Sequence, residues 1–192
     1  MTRLNLLVVL CLIGFTIASA PAFGEDVEIG PVTVSLDLAS AGSHTVEMGE
    51  SSELEHNYDP KISNFQYSIY PATITFDGTS NQVMIEVHKM SASEPLDEQI
   101  SSKSKDAASV FEHCIEQSNI MPRRADYQTK SYTIDGHDGI LLTVDTGEPG
   151  PLYIAAYSPD EKDRYGSIIC IIGSDFPWET TEKILESVNT QL

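Results

Sequence analysis

The chain has 192 residues, enough for one domain with a sizeable core, and its 29 Asp and Glu outnumber 11 Lys and Arg to give a formal net charge of −18. Such a body repels nucleic acid and anionic lipid headgroups, and attracts cations and basic partners. The acids are spread along the chain instead of forming one tail, as expected of a solvated surface.

Arg3 precedes an apolar run from Leu4 to Ala18, followed by Ser19-Ala20-Pro21-Ala22-Phe23-Gly24. A basic start, a short apolar segment and small residues at an exit point make residues 1–24 a secretory signal peptide by expectation. Cleavage after Ala20 would leave Pro21 first, so the site expected is between Gly24 and Glu25. An uncleaved anchor is the alternative, although the run falls short of the ~20 residues a spanning helix needs. Cys11 lacks the small residue that precedes a lipoprotein cysteine. Either way the body is expected outside the cytoplasm, secreted or in the cell envelope, with no membrane insertion once the signal is removed.

Residues 25–60 are expected to form a β-hairpin followed by an acidic loop. Val32, Val34, Leu36 and Leu38 alternate with polar residues, the period of a half-buried strand, and Thr45–Met48 is its expected partner across Ala41-Gly42. Residues 49–61 read as loop. Phe65, Tyr67 and Ile69 alternate, and beyond Pro71 the apolar phase moves to Ala72, Ile74 and Phe76, which suggests a bulge or break. Turn residues at 77–81 lead to a strand through Val83, Ile85 and Val87. Ser93-Glu94-Pro95 has the capping hydroxyl, acid and proline of a helix start. Leu96, Ile100, Ala107, Val110, Phe111, Cys114 and Ile115 then follow at helical spacing, and Asn119 to Pro122 ends the helix. Tyr132 and Ile134 enter the turn Asp135-Gly136-His137-Asp138-Gly139, and strands Ile140–Val144, Leu152–Tyr157 and Ser167–Ile172 follow as a meander. A last helix is expected from Asp175-Phe176-Pro177, with Ile184, Leu185, Val188 and Leu192 as its buried stripe. Short turns between successive strands imply antiparallel pairing, so the expected class is α+β, an antiparallel sheet flanked by two main helices.

Chemical motifs are sparse. Ser102-x-x-Lys105 matches the start of the penicillin-recognising pattern but lies in a polar helical run, and neither Ser-Asp-Asn nor Lys-Thr-Gly follows. Met84, Glu86, His88 and Met90 share one strand face by period two, and thioether with imidazole suits a soft metal such as copper. Alternate residues are about 7 Å apart, so one strand supplies about two converging ligands. The acidic turns at Asp135, Asp145 and Asp160 are candidates for calcium without matching its twelve-residue loop. Cys114 and Cys170 are an even pair in an exported chain, and could bond if the helix packs on the strand. Tyr67, Tyr70, Tyr153 and Tyr157 are candidates for an aromatic docking patch.

From about Lys61 to Leu192 the order of elements resembles the PsbP/DcrB-like domains. The resemblance rests on the paired strands Phe65–Phe76 and Val83–Met90, the helix from Pro95, the meander Tyr132–Ile172 and the helix from Pro177. Ile134-Asp135-Gly136-His137-Asp138-Gly139-Ile140, followed by Leu141–Asp145, is similar to that superfamily's central hairpin. The resemblance implies a non-enzymatic accessory module, needing no cofactor, that docks on a protein partner in the envelope. An extracytoplasmic copper- or calcium-binding protein is the alternative, and a small hydrolase with a site assembled from distant residues is a third.

Overall fold

The computed structural model describes residues 24–55, 66–91, 107–147, 150–160 and 168–192. The expected signal peptide, the helix start at Ser93-Glu94-Pro95 and the Ser102-x-x-Lys105 run lie outside them. The fold is α+β and its sheets are antiparallel. Among the described residues the larger sheet has eight strands, in the order β3 (His44–Met48), β5 (Gln66–Phe76), β6 (Gln82–Ser91), β10 (Ile168–Ser174), β9 (Leu152–Tyr157), β8 (His137–Val144) and β7 (Tyr127–Ile134), with β4 (Ser52–Glu55) beside β3 on β5. The smaller has three strands, in the order β1 (Glu25–Ile29), β2 (Val32–Leu36) and β11 (Asn189–Gln191). Among the described residues the helices are α1 (Ala107–Gln117) and α2 (Trp178–Glu186). None of the described helices is long and apolar enough to cross a membrane.

The large sheet is apolar on both faces because it separates two cores. One contains Val34 and Leu36 of the small sheet, Ile74, Ile85, Leu141, Tyr157, Cys170 and Ile172 of the large one, and Ile184 and Leu185 of α2. The other sets Phe111, Cys114 and Ile115 of α1 against Leu142, Ile154, Ile169 and Ile171. Burying one such isoleucine or leucine contributes roughly 1.5–3 kcal/mol, so both covering layers stabilise the sheet between them. At Gly173 a Cβ would stand 2.4 Å from Ile120 Cγ2, so this glycine lets the turn after α1 lie directly on β10.

Four local expectations are corrected. β2 does not return through β3: it pairs with β1 and β11, while β3 pairs with β5 in the other sheet. β5 is neither bulged nor broken at Pro71, since its register with β6 is continuous from Gln66 to Thr75. Ile69 faces the α1 core and Ala72, Ile74 and Phe76 face the other, so the phase change marks a change of covering layer. The proline, lacking an N–H, sits where β3 gives way to β4, and its carbonyl accepts the Gly49 N–H at 2.9 Å. Part of the expected acidic loop 49–61 is strand β4, and the last helix stops at Glu186, leaving Leu192 67% exposed.

The β7–β8 hairpin turns through two residues, Asp135 and Gly136, both at positive φ (52° and 77°), with Ile134 opposite His137. Asp-Gly is the favoured chemistry for that turn. The Asp135 carboxylate also accepts the Thr190 N–H at 2.7 Å and the Asn189 side-chain amide at 3.3 Å. A hairpin of the large sheet thereby holds the last strand of the small one.

The candidate Cys114–Cys170 disulfide is not formed, and both thiols are buried. α1 does pack near β10, but alternation turns Ile169 and Ile171 toward the helix and Cys170 toward the small sheet. The sheet itself therefore lies between two sulfurs whose Cα atoms would have to approach within about 7 Å to bond. In denaturant without reductant both thiols should react with a thiol reagent, and neither should react in the native protein. Absence of reactive thiol in denaturant would contradict this placement.

Candidate functional site

β6 carries the residues singled out for metal binding, and they do share one face. Val83, Ile85 and Val87 point to the small-sheet core, while Met84, Glu86, His88 and Met90 point to the α1 side. They do not converge on one centre. Met84 receives the Gln82 amide at 3.7 Å, and Met90 lies buried six residues farther along, about 20 Å away at the rise of a strand. Only Glu86 and His88 meet, with Oε2 and Nε2 2.9 Å apart. Glu86 is 2% exposed and His88 0%. The second Glu86 oxygen accepts the backbone N–H and the side-chain amide of Asn119, each at 3.0 Å.

Asn119 stands just past the end of α1, beside Ser118, whose hydroxyl donates to the Ile115 carbonyl at 2.7 Å and accepts the Met121 N–H at 3.3 Å. The Glu86–His88 pair thus ties the turn after α1 down onto the sheet. A carboxylate beside an imidazole is also the orienting half of a general-base device. Here both groups are sealed in the core. A cavity of about 650 Å³ reaches Asn119, Arg123, Arg124 and Tyr127, and another of about 480 Å³ reaches Phe111, Tyr132 and Gly139; neither is lined by Glu86 or His88. Among the described residues no group of three or more His, Cys, Asp and Glu is placed to hold a metal ion.

A second buried polar unit lies on the opposite face. The Tyr157 hydroxyl sits between Thr190 Oγ1, 2.5 Å away, and the Cys170 thiol across the β9–β10 pair. Burial pushes the thiol up to about 12, although its hydrogen bond from Tyr157 opposes this, and burial likewise pushes the phenol well above its ordinary value. A thiol held neutral is a poor nucleophile. Two of the acidic turns are also engaged internally: Asp135 holds β11, and Asp145 Oδ1 accepts the Gly147 N–H at 3.0 Å; the third runs past Asp160 outside the described residues.

The candidate tyrosine patch does not form as one surface among the described residues. Tyr157 is buried, Tyr70 is half-buried against Gly30, Tyr153 is half-buried beside Trp178, and the Tyr67 side chain lies outside the described residues. The aromatic cluster that does form borders β7. Tyr132 and Tyr153 meet the Trp178 ring at 6.3 and 5.1 Å between centroids, and Lys130 Nζ lies 4.9 Å from the Trp178 centroid and 5.7 Å from that of Tyr132.

β7 itself is the large sheet's last strand, and residues 127–131 are exposed in an unbroken row. On its α1 side, Thr129 donates to Glu112 at 2.7 Å and Tyr127 donates to Glu116 at 3.3 Å. On its α2 side, Tyr132 lies near Glu182 and Glu186. Burial, then these two carboxylates, raise its phenol above the ordinary value; burial, then Glu116 and Glu112, do the same to Tyr127. An exposed edge strand therefore runs between two pairs of carboxylates. Sequence reasoning placed Tyr132 and Ile134 in a strand but missed this edge, whose polar residues Gln128-Thr129-Lys130-Ser131 give no apolar alternation.

No family model matches the chain, and no curated protein or solved structure is significantly similar to it.

Proposed function

We propose that the protein is an exported, acidic, non-enzymatic accessory module that acts outside the cytoplasm by docking on a protein partner of the cell envelope. The observation that supports this reading is the β7 border: an exposed edge strand, an adjacent Tyr132–Tyr153–Trp178 cluster and flanking carboxylates. Edge backbone and half-exposed aromatics are what strand-adding and docking surfaces use. The buried titratable groups, by contrast, are engaged in holding turns and strands together. The expected signal peptide supports export, and the order of β5, β6, α1, the β7–β10 meander and α2 is in keeping with a PsbP/DcrB-like domain, to which the β1–β2 hairpin would be an addition.

Two measurements test the reading. Residues 1–30 fused to an alkaline phosphatase that works only outside the cytoplasm should give an active enzyme, and Leu10→Arg should abolish it. A tagged full chain, cross-linked in its own cells before lysis, should carry a stoichiometric envelope protein. A cytoplasmic fusion, or a chain recovered without a stoichiometric companion, would contradict the proposal. A saturable rise in melting temperature with calcium or copper would favour the cation-binding alternative instead.

A further inference from the structure

The register of the β7–β8 hairpin fixes which backbone groups of β7 face outward. Ile134 and His137 flank a two-residue turn and so exchange hydrogen bonds, and every second pair along the ladder repeats this. Gln128, Lys130, Tyr132 and Ile134 therefore direct their N–H and C=O groups to β8. Tyr127, Thr129, Ser131 and Thr133 direct theirs away from the sheet, where no described strand pairs with them. Over eight residues this row extends about 26 Å. Such a row is a template for another strand unless it is guarded.

The guard is partial and it is selective. Lys130 is the one basic residue of the strand, and its ammonium lies over the Trp178 and Tyr132 rings instead of standing in the plane of the edge. Glu112 and Glu116 border the edge on the α1 side, and Glu182 and Glu186 border it on the α2 side. A strand laid along β7 would send alternate side chains over these two borders. Acidic side chains would meet like charge on both, and a second copy would also bring a body of net charge −18 against another. Basic side chains would be matched on both.

We propose that β7 is a site of strand addition for a basic, extended segment of a partner protein, whose backbone pairs with Thr129, Ser131 and Thr133 while its lysines or arginines meet Glu112 and Glu116 on one face and Glu182 and Glu186 on the other. This rests on the docking reading above and gives it a partner chemistry and an address. Main-chain pairing supplies the geometry of the complex, and the two acidic borders supply its selectivity.

The test uses a fluorescent nine-residue peptide alternating threonine pairs with lysine pairs, which sets lysines on both faces of a strand, and its threonine–glutamate counterpart, followed by anisotropy on the purified protein. The lysine peptide should bind saturably and weaken as salt rises, and the glutamate peptide should not bind. Ser131→Pro removes an outward N–H without touching the β7–β8 ladder, and should weaken binding about tenfold at unchanged melting temperature. Glu182→Gln with Glu186→Gln, on the α2 border, should weaken it about threefold and flatten the salt dependence, which keeps the proposal testable should the proline variant fold poorly. Equal binding of the lysine peptide to both variants would mean diffuse attraction to an acidic body and would overturn the site. Equal binding of the glutamate peptide, or binding of neither peptide, would overturn it as well. A negative titration together with a stoichiometric cross-linked partner overturns the edge and leaves docking standing; failure of both overturns both.

Discussion

Replacing Glu86 with alanine is expected to cost about 3–5 kcal/mol of folding stability. Two of the causes are separable. His88 Nε2 loses its carboxylate inside a core where the imidazole is 0% exposed, and the Asn119 N–H and amide lose their shared acceptor at the end of α1. The second loss is the smaller, because Asn119 is exposed and can turn to water. Glu86→Gln preserves shape and one acceptor and should cost about half as much. The informative variant is Glu86→Leu combined with His88→Leu, which removes the polar pair altogether. It should be more stable than Glu86→Ala alone, since a buried pair replaced whole by apolar side chains often leaves stability nearly unchanged. Urea unfolding of the four proteins measures this. A loss below about 1 kcal/mol for Glu86→Ala would show that the pair does not anchor the turn after α1.

The second large effect is alkaline. Cys170 is held neutral up to about pH 12, and Tyr157 is shifted in the same direction, chiefly by burial in each case. In the unfolded chain the thiol loses its proton near pH 9 and the phenol near 10. Between those values and the folded ones the unfolded state binds fewer protons than the folded state, so stability falls as pH rises. The thiol's contribution is fully present below about pH 9 and is lost through the interval up to about 12, at roughly a few kcal/mol; the phenol's is fully present below about pH 10 and is lost at higher pH. Cys170→Ser keeps a hydroxyl beside Tyr157 and removes the titration. Its stability should therefore decline less steeply than wild type from pH 9 upward, although it starts lower. Parallel declines would contradict a thiol kept neutral by the fold. The same unit joins the two sheets, because Thr190 on β11 carries the hydrogen bond to Tyr157. Alkaline unfolding should consequently begin where the small sheet meets the large one.

Period-two alternation was enough to identify the strand through Val83, Ile85 and Val87, and turn chemistry was enough to place the hairpin within Asp135–Gly139, although the turn itself is Asp135-Gly136 and His137–Gly139 already belong to β8. The α+β class followed from the same signals. Strand partners were less legible. β2 and β3 are close in sequence, and nearness favours a hairpin, yet the choice between sheets is made by what Val46 and Leu36 pack against far along the chain. β11 has three polar residues and no pattern at all; it is a strand because Asp135 and β2 hold it. The run Ile168–Ile172 is apolar at every position, so nothing local tells which face Cys170 takes. At β6 the shared face of Glu86 and His88 was readable, but its meaning depends on Asn119, 33 residues away. Fixed charges distributed over two helices, such as those bordering β7, leave no local motif for the same reason.

Residue-resolved amide exchange offers the most direct measurement on the proposed docking edge. With the lysine peptide present, the amides of Thr129, Ser131 and Thr133 should slow together, while those of Lys130 and Tyr132, already paired with β8, should change little. Protection confined to β3 at the far edge, or spread evenly over the acidic surface, would contradict docking at β7.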